Sequence, residues 1–379
     1  MRGIQPYAKS RVWLTPAERI RDVKARSARM LDLSMNSIRW ERQADLLEIF
    51  EAVGYAEGEK KPLFDLVGHG KAYLDCGKVK SKGCDHVKDH ENGKVFGRYY
   101  KRSCRRKQCP ICHEAWASAE AERALIRLAT FVNGSEVIDK VLLGFRREML
   151  KNPMPRVYFH RALVSELENR LSSSHPRVVH FMLSPPQDVE VSSTSDFQHL
   201  KDRAYEIAKE RGIRGGAMIF HPYRLKCSEC GSTIDDYQKE CPNCEKKSFE
   251  WFWGPHFHVV GFGWLDTVEI VDGYERDGWV VKGLGVRDSV FATFQYLLSH
   301  AGMSIFHTTT WFGKLAYNVM HEVPKLGAVL EVCPYCFRIL RPMIWTHEDR
   351  GPPVHVFSED NPLLNEFEGE ATDWRCLHG

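Results

Sequence analysis

The sequence has no long uninterrupted hydrophobic stretch, which argues against an integral membrane protein. Its longest apolar runs, such as Val259 to Trp264, are far shorter than the roughly 20 residues that a membrane-spanning helix needs. Residues 1–6, MRGIQP, lead into no hydrophobic segment of the kind found in secretory signal peptides. We therefore expect an intracellular protein that has no membrane partner.

The sequence also lacks a strong excess of charge. Its 53 Lys and Arg stand against 50 Asp and Glu, and a net charge of +3 is too small for the whole molecule to attract nucleic acid. Residues 71–107 are the exception, with 12 basic against 4 acidic residues. Such a patch favours phosphate contacts, although a solvated loop is the simpler alternative. The predicted DNA-binding residues are Arg98, Lys101, Arg102, Arg105, Arg106 and Lys107.

Cysteine, by contrast, is abundant. With twelve cysteines and no secretory signal, the chain is expected to bind metal rather than form disulfides. The Cys-x-x-Cys pattern occurs four times, and its spacing predicts up to three structural zinc sites.

The clearest of these is formed by Cys227, Cys230, Cys241 and Cys244. Two Cys-x-x-Cys pairs across a short polar spacer are typical of a zinc ribbon, here over residues 225–247. A redox-active pair is the weaker alternative, because two pairs stand at ribbon spacing.

A second site lies in the basic segment, where Cys104, Cys109 and Cys112 supply three thiolates. Cys84 is predicted as the fourth ligand. The alternatives that stay open are Cys76, His86, His90 and His113. An amphipathic helix over residues 114–130 is predicted to follow.

A third site is predicted to join Cys333 and Cys336 to Cys376 and His378 near the end of the sequence. A pair of ligands there would fix a segment that otherwise frays. The alternative is that Cys376 and His378 lie in a loose tail.

Three segments rich in β-branched and aromatic residues predict strands, at residues 178–184, 217–221 and 249–263. A helix is predicted between the first two, over residues 195–211. Strands that alternate with helices favour an α/β or α+β domain. Two further helices are predicted nearer the start, Thr15–Leu33 and Ser37–Val53.

The third strand carries His256 and His258 two residues apart. Since a strand points alternate side chains to one face, both imidazoles are aimed at one point, where they could hold a metal ion. Taken alone, such a pair is more often packed or hydrogen-bonded within a core.

A predicted helix over residues 288–302 places Tyr296 and His300 one turn apart, on an edge facing the histidine strand. A tyrosine hydroxyl is a competent nucleophile, and a divalent ion can polarise a phosphodiester. The catalytic ion is expected to be Mn²⁺ or Mg²⁺, with imidazole ligands favouring Mn²⁺.

In their order, these motifs resemble the HUH endonuclease superfamily, specifically the rolling-circle replication initiators of plasmids and viruses, of an archaeal type. Residues 180–184 (HFMLS) are similar to its first strand motif, 256–258 (HFH) to its metal-binding motif, and 295–302 (QYLLSHAG) to its nucleophile motif. Residues 104–112, with Cys84 and the sequence ENG at 91–93, resemble its cysteine-rich element. The resemblance covers roughly residues 70–302.

This resemblance implies an α+β fold, with an antiparallel sheet, flanking helices and the histidines on a central strand. It also implies site-specific nicking and rejoining of single-stranded DNA through a 5′-phosphotyrosine at Tyr296. The expected partners are origin DNA, in hairpin form, and host replication proteins in the cytoplasm of a prokaryote. Many relatives have a lysine one turn after the tyrosine, whereas this chain has Ser299 and His300. By analogy with single-strand transposases, His300 is expected to be the third metal ligand, with His180, His221 or an acidic residue as alternatives.

The predicted organisation has four parts. They are a helical region (1–70), a basic zinc module with its helix (71–130), an endonuclease domain with the inserted ribbon (131–310) and a C-terminal region (311–379). Two other functions stay open. One is a multi-zinc DNA-binding regulator without catalysis, and the other is a metal-dependent hydrolase of the amidohydrolase kind, whose His-x-His strand belongs to a large barrel.

Overall fold

The protein is described here from a computed structural model that covers residues 65–68, 72, 76–152, 156–186, 188–234, 238, 240–263, 277–287, 289–303, 308–327, 330–346, 358 and 361–377. The predicted helices Thr15–Leu33 and Ser37–Val53 lie outside these residues. Within them, every helix is too short or too polar to cross a bilayer.

The described residues form five α-helices and thirteen strands. The helices are α1 (His113–Asn133), α2 (Ser135–Lys151), α3 (Arg156–Ser172), α4 (Thr194–Glu210) and α5 (Val290–Ser299). The strands are β1 (Asp65–Leu66), β2 (Val79–Cys84), β3 (Val95–Lys101), β4 (Val178–Ser184), β5 (Ile213–Cys227), β6 (Thr233–Ile234), β7 (Phe249–Gly263), β8 (Val280–Val286), β9 (Gly302–Met303), β10 (Thr309–Gly313), β11 (Arg341–Trp345), β12 (Glu366–Gly369) and β13 (Trp374–Cys376).

The central sheet has the strand order β10-β5-β7-β4-β8, and all of its pairs are antiparallel. The predicted α+β class is therefore confirmed, and the histidine strand β7 is the middle strand of the sheet. The large barrel that the hydrolase alternative expects is not what the described residues form.

Alternation along these strands creates two apolar faces. One face, which includes Val178, Ile219 and Val260, belongs to one apolar core with residues of α1, α2, α3 and α5. The other, which includes Phe181 and Phe257, packs under α4. Burying each large apolar side chain contributes roughly 1.5–3 kcal/mol, so the helices are held firmly on both faces.

The predicted secondary structure agrees with most of these elements. The helices predicted at 114–130 and 195–211 correspond to α1 and α4, and the third predicted strand has the bounds of β7. Strand β5 extends well beyond the predicted 217–221, because it forms a long hairpin with β7 that ends in the ribbon. Helix α5 ends at Ser299, three residues before the predicted stop at Gly302.

A second sheet, in the order β12-β3-β2-β11-β13, joins two segments that the predicted organisation places in separate parts of the chain. Strands β2 and β3 come from the predicted basic module, whereas β11, β12 and β13 come from the predicted C-terminal region. The two segments share one sheet through the pairing of β2 with β11 and of β3 with β12, so they form one structural unit.

Candidate functional site

Three histidines meet on one face of the central sheet. His256 on β7 lies directly opposite His221 on β5 in the strand register, and His258 follows two residues later on the same face. Their ligating atoms all lie within 4.8 Å of one another. All three side chains are buried, and such a cluster of imidazoles could hold a metal ion.

Each of the three rings has one nitrogen fixed by a hydrogen bond. His256 Nδ1 is 2.8 Å from the Gly254 carbonyl oxygen, and His221 Nε2 is 2.9 Å from the Leu297 carbonyl oxygen. His258 Nδ1 is 2.9 Å from Nε2 of His180 on β4. These contacts orient the rings and leave the second nitrogen of each for a ligand, as the outer shell of a metal site does.

Burial keeps these imidazoles uncharged. It lowers the pKa of His256 to about 3, with the nearby positive charge of Arg224 as a further cause. Burial likewise holds the pKa values of His221 and His258 well below the ordinary value, and neighbouring histidines add to the effect. Neutral imidazoles are the form that binds a metal cation, so the cluster is ready for one at neutral pH.

The structure groups a different histidine from the predicted one with His256 and His258. His300 is not a member of the cluster, and His221, which had stayed open as an alternative, takes that place. The reason is geometric: His300 follows the last residue of α5, whereas His221 is held beside His256 by the strand register. His180, another alternative, instead supports His258 from the neighbouring strand.

Tyr296 is linked to the cluster through His300. The rings of Tyr296 and His300 meet edge to face with centroids 4.7 Å apart, and the His300 ring lies 4.3 Å from that of His221. The Ser299 hydroxyl lies 3.2 Å from His300 Nδ1 and donates a hydrogen bond to the Tyr296 carbonyl oxygen. The predicted nucleophile thus stands beside the histidine cluster, with one imidazole between them.

Helix α5 is fixed at its start as well as along its side. Ser289 caps it by accepting a hydrogen bond from the amide of Ala292, as its position before the apolar stripe predicts. Glu168 of α3 accepts from both the Ser289 hydroxyl and the Phe291 amide. These contacts fix where the helix presents Tyr296.

The first cysteine cluster consists of Cys76, Cys104, Cys109 and Cys112. Cys76 therefore replaces Cys84, the predicted fourth ligand, and it was among the alternatives. Cys109 and Cys112 come immediately before α1, and Cys112 is its N-cap residue. The cluster thus stands at the start of the helix that contacts α5, where Gln295 donates to Ser118.

The second cluster contains Cys84, His90, Cys333 and Cys336, so Cys84 belongs to a different site from the predicted one. His90 Nε2 is 3.3 Å from Cys333 Sγ and 3.4 Å from Cys336 Sγ, while its Nδ1 is 2.7 Å from the Lys94 carbonyl oxygen.

The predicted pairing of this site with Cys376 and His378 is wrong for Cys376. Among the described residues that thiol belongs to no cluster, and it contacts the Gly83 carbonyl oxygen at 3.4 Å on the second sheet. His378 lies outside the described residues. The pairing of β2 with β11 brings Cys84 to Cys333 and Cys336 instead.

The third cluster, Cys227, Cys230, Cys241 and Cys244, is confirmed as predicted, at the tip of the β5–β7 hairpin. Its Sγ atoms approach to 3.5 Å in two pairs. Zn–S bonds of ~2.3 Å in a tetrahedron place sulfurs ~3.8 Å apart, which the three clusters approach with distances of 3.2–3.9 Å. The two Cys₄ clusters and the Cys₃His cluster therefore suit zinc.

The predicted DNA-binding residues differ in exposure. Arg98 is buried and forms ion pairs with Glu331 and Glu366, so it has a structural role instead. Lys107 is partly buried and donates to Thr308. The others have exposed side chains: Lys101, Arg102, Arg105 and Arg106.

A cavity of about 920 Å³ lies between α1, the start of α3 and residues 317–327. Basic side chains outnumber acidic ones in its lining, and Trp311 and Tyr317 add aromatic surface. The charged residues that line it are Arg105, Arg123, Arg127, Arg156, Lys325, Glu120 and Glu122. Phe294, two residues before Tyr296 on α5, also lines it. Cations interleaved with aromatic rings are the composition of surfaces that bind single-stranded nucleic acid.

No family model, no curated protein and no solved structure matches this chain.

Proposed function

We propose that this protein is a metal-dependent nickase and strand transferase for single-stranded DNA, which starts rolling-circle replication through a 5′-phosphotyrosine at Tyr296. The proposal depends on one observation above all. A line of ring contacts joins Tyr296 through His300 to His221, and so to the cluster of three buried imidazoles.

The cluster has the composition and number of donors expected of a catalytic metal site. Three protein ligands leave coordination positions for substrate, in contrast to the four donors of each cysteine cluster. A bound Mn²⁺ or Mg²⁺ would polarise a phosphodiester and stabilise the charge that develops at phosphorus.

Tyr296 supplies the nucleophile. Its phenolic oxygen forms a bond to phosphorus as the bond from phosphorus to the 3′ oxygen breaks. The phenolic proton is lost, and the leaving oxygen takes up a proton to become a free 3′-hydroxyl. His300, whose ring lies against that of Tyr296, orients the phenol toward the cluster. The phosphotyrosine keeps a phosphodiester bond, so a 3′-hydroxyl can later rejoin the strand.

Single-stranded DNA is supported by the basic and aromatic cavity beside α5. The antiparallel sheet with histidines on its middle strand, flanked by helices, is also the architecture implied by the resemblance to HUH endonucleases. Manganese is the better candidate ion, because imidazole ligands suit it more than they suit magnesium.

The test uses full-length protein, Mn²⁺ and a library of oligonucleotides in which random sequence follows a hairpin, each labelled at its 3′ end. Because the tyrosine keeps the 5′ phosphate of the downstream fragment, the label should travel with the protein on a denaturing gel. Tyr296→Phe should abolish this band, whereas Tyr205→Phe, at an exposed tyrosine on α4 outside the cavity, should keep it.

A band that survives in Tyr296→Phe would place the nucleophile elsewhere and contradict the assignment. Binding of the library by wild-type protein without any adduct would favour the non-catalytic alternative, a multi-zinc DNA-binding regulator.

A further inference from the structure

Beside the histidine cluster lies a partly buried arginine that forms no ion pair within the described part of the chain. Arg224 is on β5, three residues after His221, and its guanidinium reaches across β7 to β4. Its Nε donates to the Gly254 carbonyl oxygen at 3.2 Å, and its Nη2 donates to the Ser184 hydroxyl and lies 3.8 Å from Met182 Sδ. None of these partners carries a negative charge.

Arg98 offers a comparison, because it is a buried arginine with a structural role in the same chain. Its guanidinium is neutralised by Glu331 and Glu366, at 3.5 and 2.6 Å. Removing a cation from water without an anion costs several kcal/mol, which such carboxylates offset. Arg224 has no equivalent among the described residues, although it is fixed by three side-chain contacts.

The position of Arg224 would also oppose a metal ion. Gly254 O accepts a hydrogen bond from Arg224 Nε and lies 2.8 Å from His256 Nδ1, so the guanidinium and a metal ligand share one acceptor. A positive charge this close repels a divalent cation. The arrangement becomes favourable when an anion lies between the two cations.

Gly254 makes this placement possible. A Cβ built there would lie 2.9 Å from Arg224 Cγ and 3.0 Å from Cδ, closer than side chains normally approach. Because Gly254 has no side chain, the aliphatic part of Arg224 can cross β7 on the face of the sheet that carries the three histidines.

We propose that Arg224 and the three-histidine cluster together form a phosphate subsite, in which the guanidinium binds a non-bridging oxygen of the phosphoryl group bound at the metal. Its planar array of N–H donors suits a phosphate, and two fixed hydrogen bonds hold it in place beforehand. The identification of this phosphate as the scissile phosphodiester rests on the proposed function, whereas the subsite itself does not.

The test measures inorganic phosphate binding by calorimetry to full-length protein loaded with Mn²⁺, alongside Mn²⁺ affinity in phosphate-free buffer. Arg224→Gln should weaken phosphate binding about 10- to 100-fold, the usual effect of losing a charge-assisted hydrogen bond. It should leave Mn²⁺ affinity unchanged or higher, because a repulsive charge is gone. Arg214→Gln is the matched control, since Arg214 is an exposed arginine on the same strand.

Two more variants separate charge from geometry. Arg224→Lys keeps the charge and should recover only part of the phosphate affinity. Gly254→Ala keeps the arginine but displaces its stem, so phosphate affinity should fall as in Arg224→Gln while Mn²⁺ still binds.

Wild-type protein that binds no phosphate would overturn the proposal, as would Arg224→Gln with wild-type phosphate affinity. A parallel fall in Mn²⁺ and phosphate affinity in both Arg224→Gln and Arg224→Lys would show a merely structural arginine. Phosphate binding needs no nucleophile, so a subsite that depends on Arg224 would stand even if no DNA adduct formed. An adduct with unchanged phosphate binding in Arg224→Gln would reject the subsite alone.

Discussion

The histidine cluster and the cysteine clusters are two different kinds of candidate metal site in one chain. Each cysteine cluster offers four donors, drawn largely from turns and strand ends, whereas the histidine cluster offers three from the interior of a sheet. Four donors complete a tetrahedral shell, whereas three leave room for substrate. The cysteine clusters therefore have the composition of structural zinc sites, and the histidine cluster has that of a metal site with open coordination positions.

Among the substitutions, His258→Ala should separate the histidine cluster from the cysteine clusters most clearly. Loss of one of three ligands should remove Mn²⁺ binding and reduce DNA cleavage by about 10³-fold, since a bound metal contributes several kcal/mol to the transition state. Zinc content should not change. Cleavage assays with metal analysis of the same sample test this, and full activity in the variant would refute a catalytic role for the cluster.

Cys333→Ser should reduce the zinc content, which His258→Ala leaves unchanged. We expect the loss of one zinc and a fall in the free energy of unfolding on the order of 3–5 kcal/mol, because structural zinc binding is coupled to folding. Cys376→Ser is the matched control. Its thiol is also buried but joins no cluster of the residues that the structure describes, so zinc content should stay the same and stability should fall by about 1 kcal/mol. Equal zinc loss in both variants would show that the cluster is assigned wrongly.

The ribbon and the Cys₃His cluster show how much of a metal site can be predicted from the sequence. The ribbon was predicted correctly because its two Cys-x-x-Cys pairs are close in the chain. The Cys₃His cluster could not be, because it joins Cys84 and His90 to Cys333 and Cys336, which are brought near by the pairing of β2 with β11. The number of residues between two ligands says nothing about such long-range pairing.

The same limit applies to the histidine cluster. The alternation of side chains along one strand correctly predicts that His256 and His258 lie together on one face. The position of Ser289 correctly predicts the start of α5. The third ligand required the register between β5 and β7, which the sequence does not contain, so His300 was assigned in place of His221. Arg98 was misassigned for a similar reason, since its carboxylate partners come from residues more than 230 positions away.

Removing the hydrogen-bond partner of a metal ligand should reduce Mn²⁺-dependent cleavage less than removing the ligand itself. His180→Phe would leave His258 Nδ1 without its partner and should lower Mn²⁺ affinity by about 10- to 100-fold. At saturating Mn²⁺, cleavage should largely recover, which separates this variant from His258→Ala. A Mn²⁺ titration of the cleavage rate measures both quantities, and unchanged affinity would remove His180 from the outer shell.

The buried histidines also predict how stability depends on pH without divalent ions. The pKa values of His180 and His256 are lowered to about 3, and those of His221 and His258 fall well below 6.5, mainly through burial. Below pH ~6.5 the unfolded chain therefore binds more protons than the folded protein, so stability falls as pH falls.

For each such histidine the loss approaches ~1.4 kcal/mol per pH unit once the unfolded imidazole is protonated. Urea unfolding at pH 7, 6 and 5 should show this loss, and added Mn²⁺ should raise stability by a similar amount at each pH, because the folded imidazoles are already uncharged across this range. A flat profile between pH 7 and pH 5 would contradict the burial of these four rings.

The smallest effect is expected at the surface. Arg105→Ala should weaken single-stranded DNA binding only a few-fold and reduce the dependence of log K on log salt by about 0.7, the value for one lost phosphate contact. Arg98→Ala should instead lower stability, because Glu331 and Glu366 would lose their partner. Salt titrations of oligonucleotide binding test the first variant, and an unchanged slope would exclude Arg105 from the interface.

The most direct measurement is to map the covalent adduct. Wild-type protein treated with Mn²⁺ and the hairpin library is digested with nuclease and protease, and the nucleotide-bearing peptide is sequenced by mass spectrometry. A nucleotide attached through its 5′ phosphate to Tyr296, formed only with the divalent ion and absent in His258→Ala, is the predicted result. A nucleotide on another residue, or an adduct that forms equally without metal, would contradict a histidine-bound ion acting beside Tyr296.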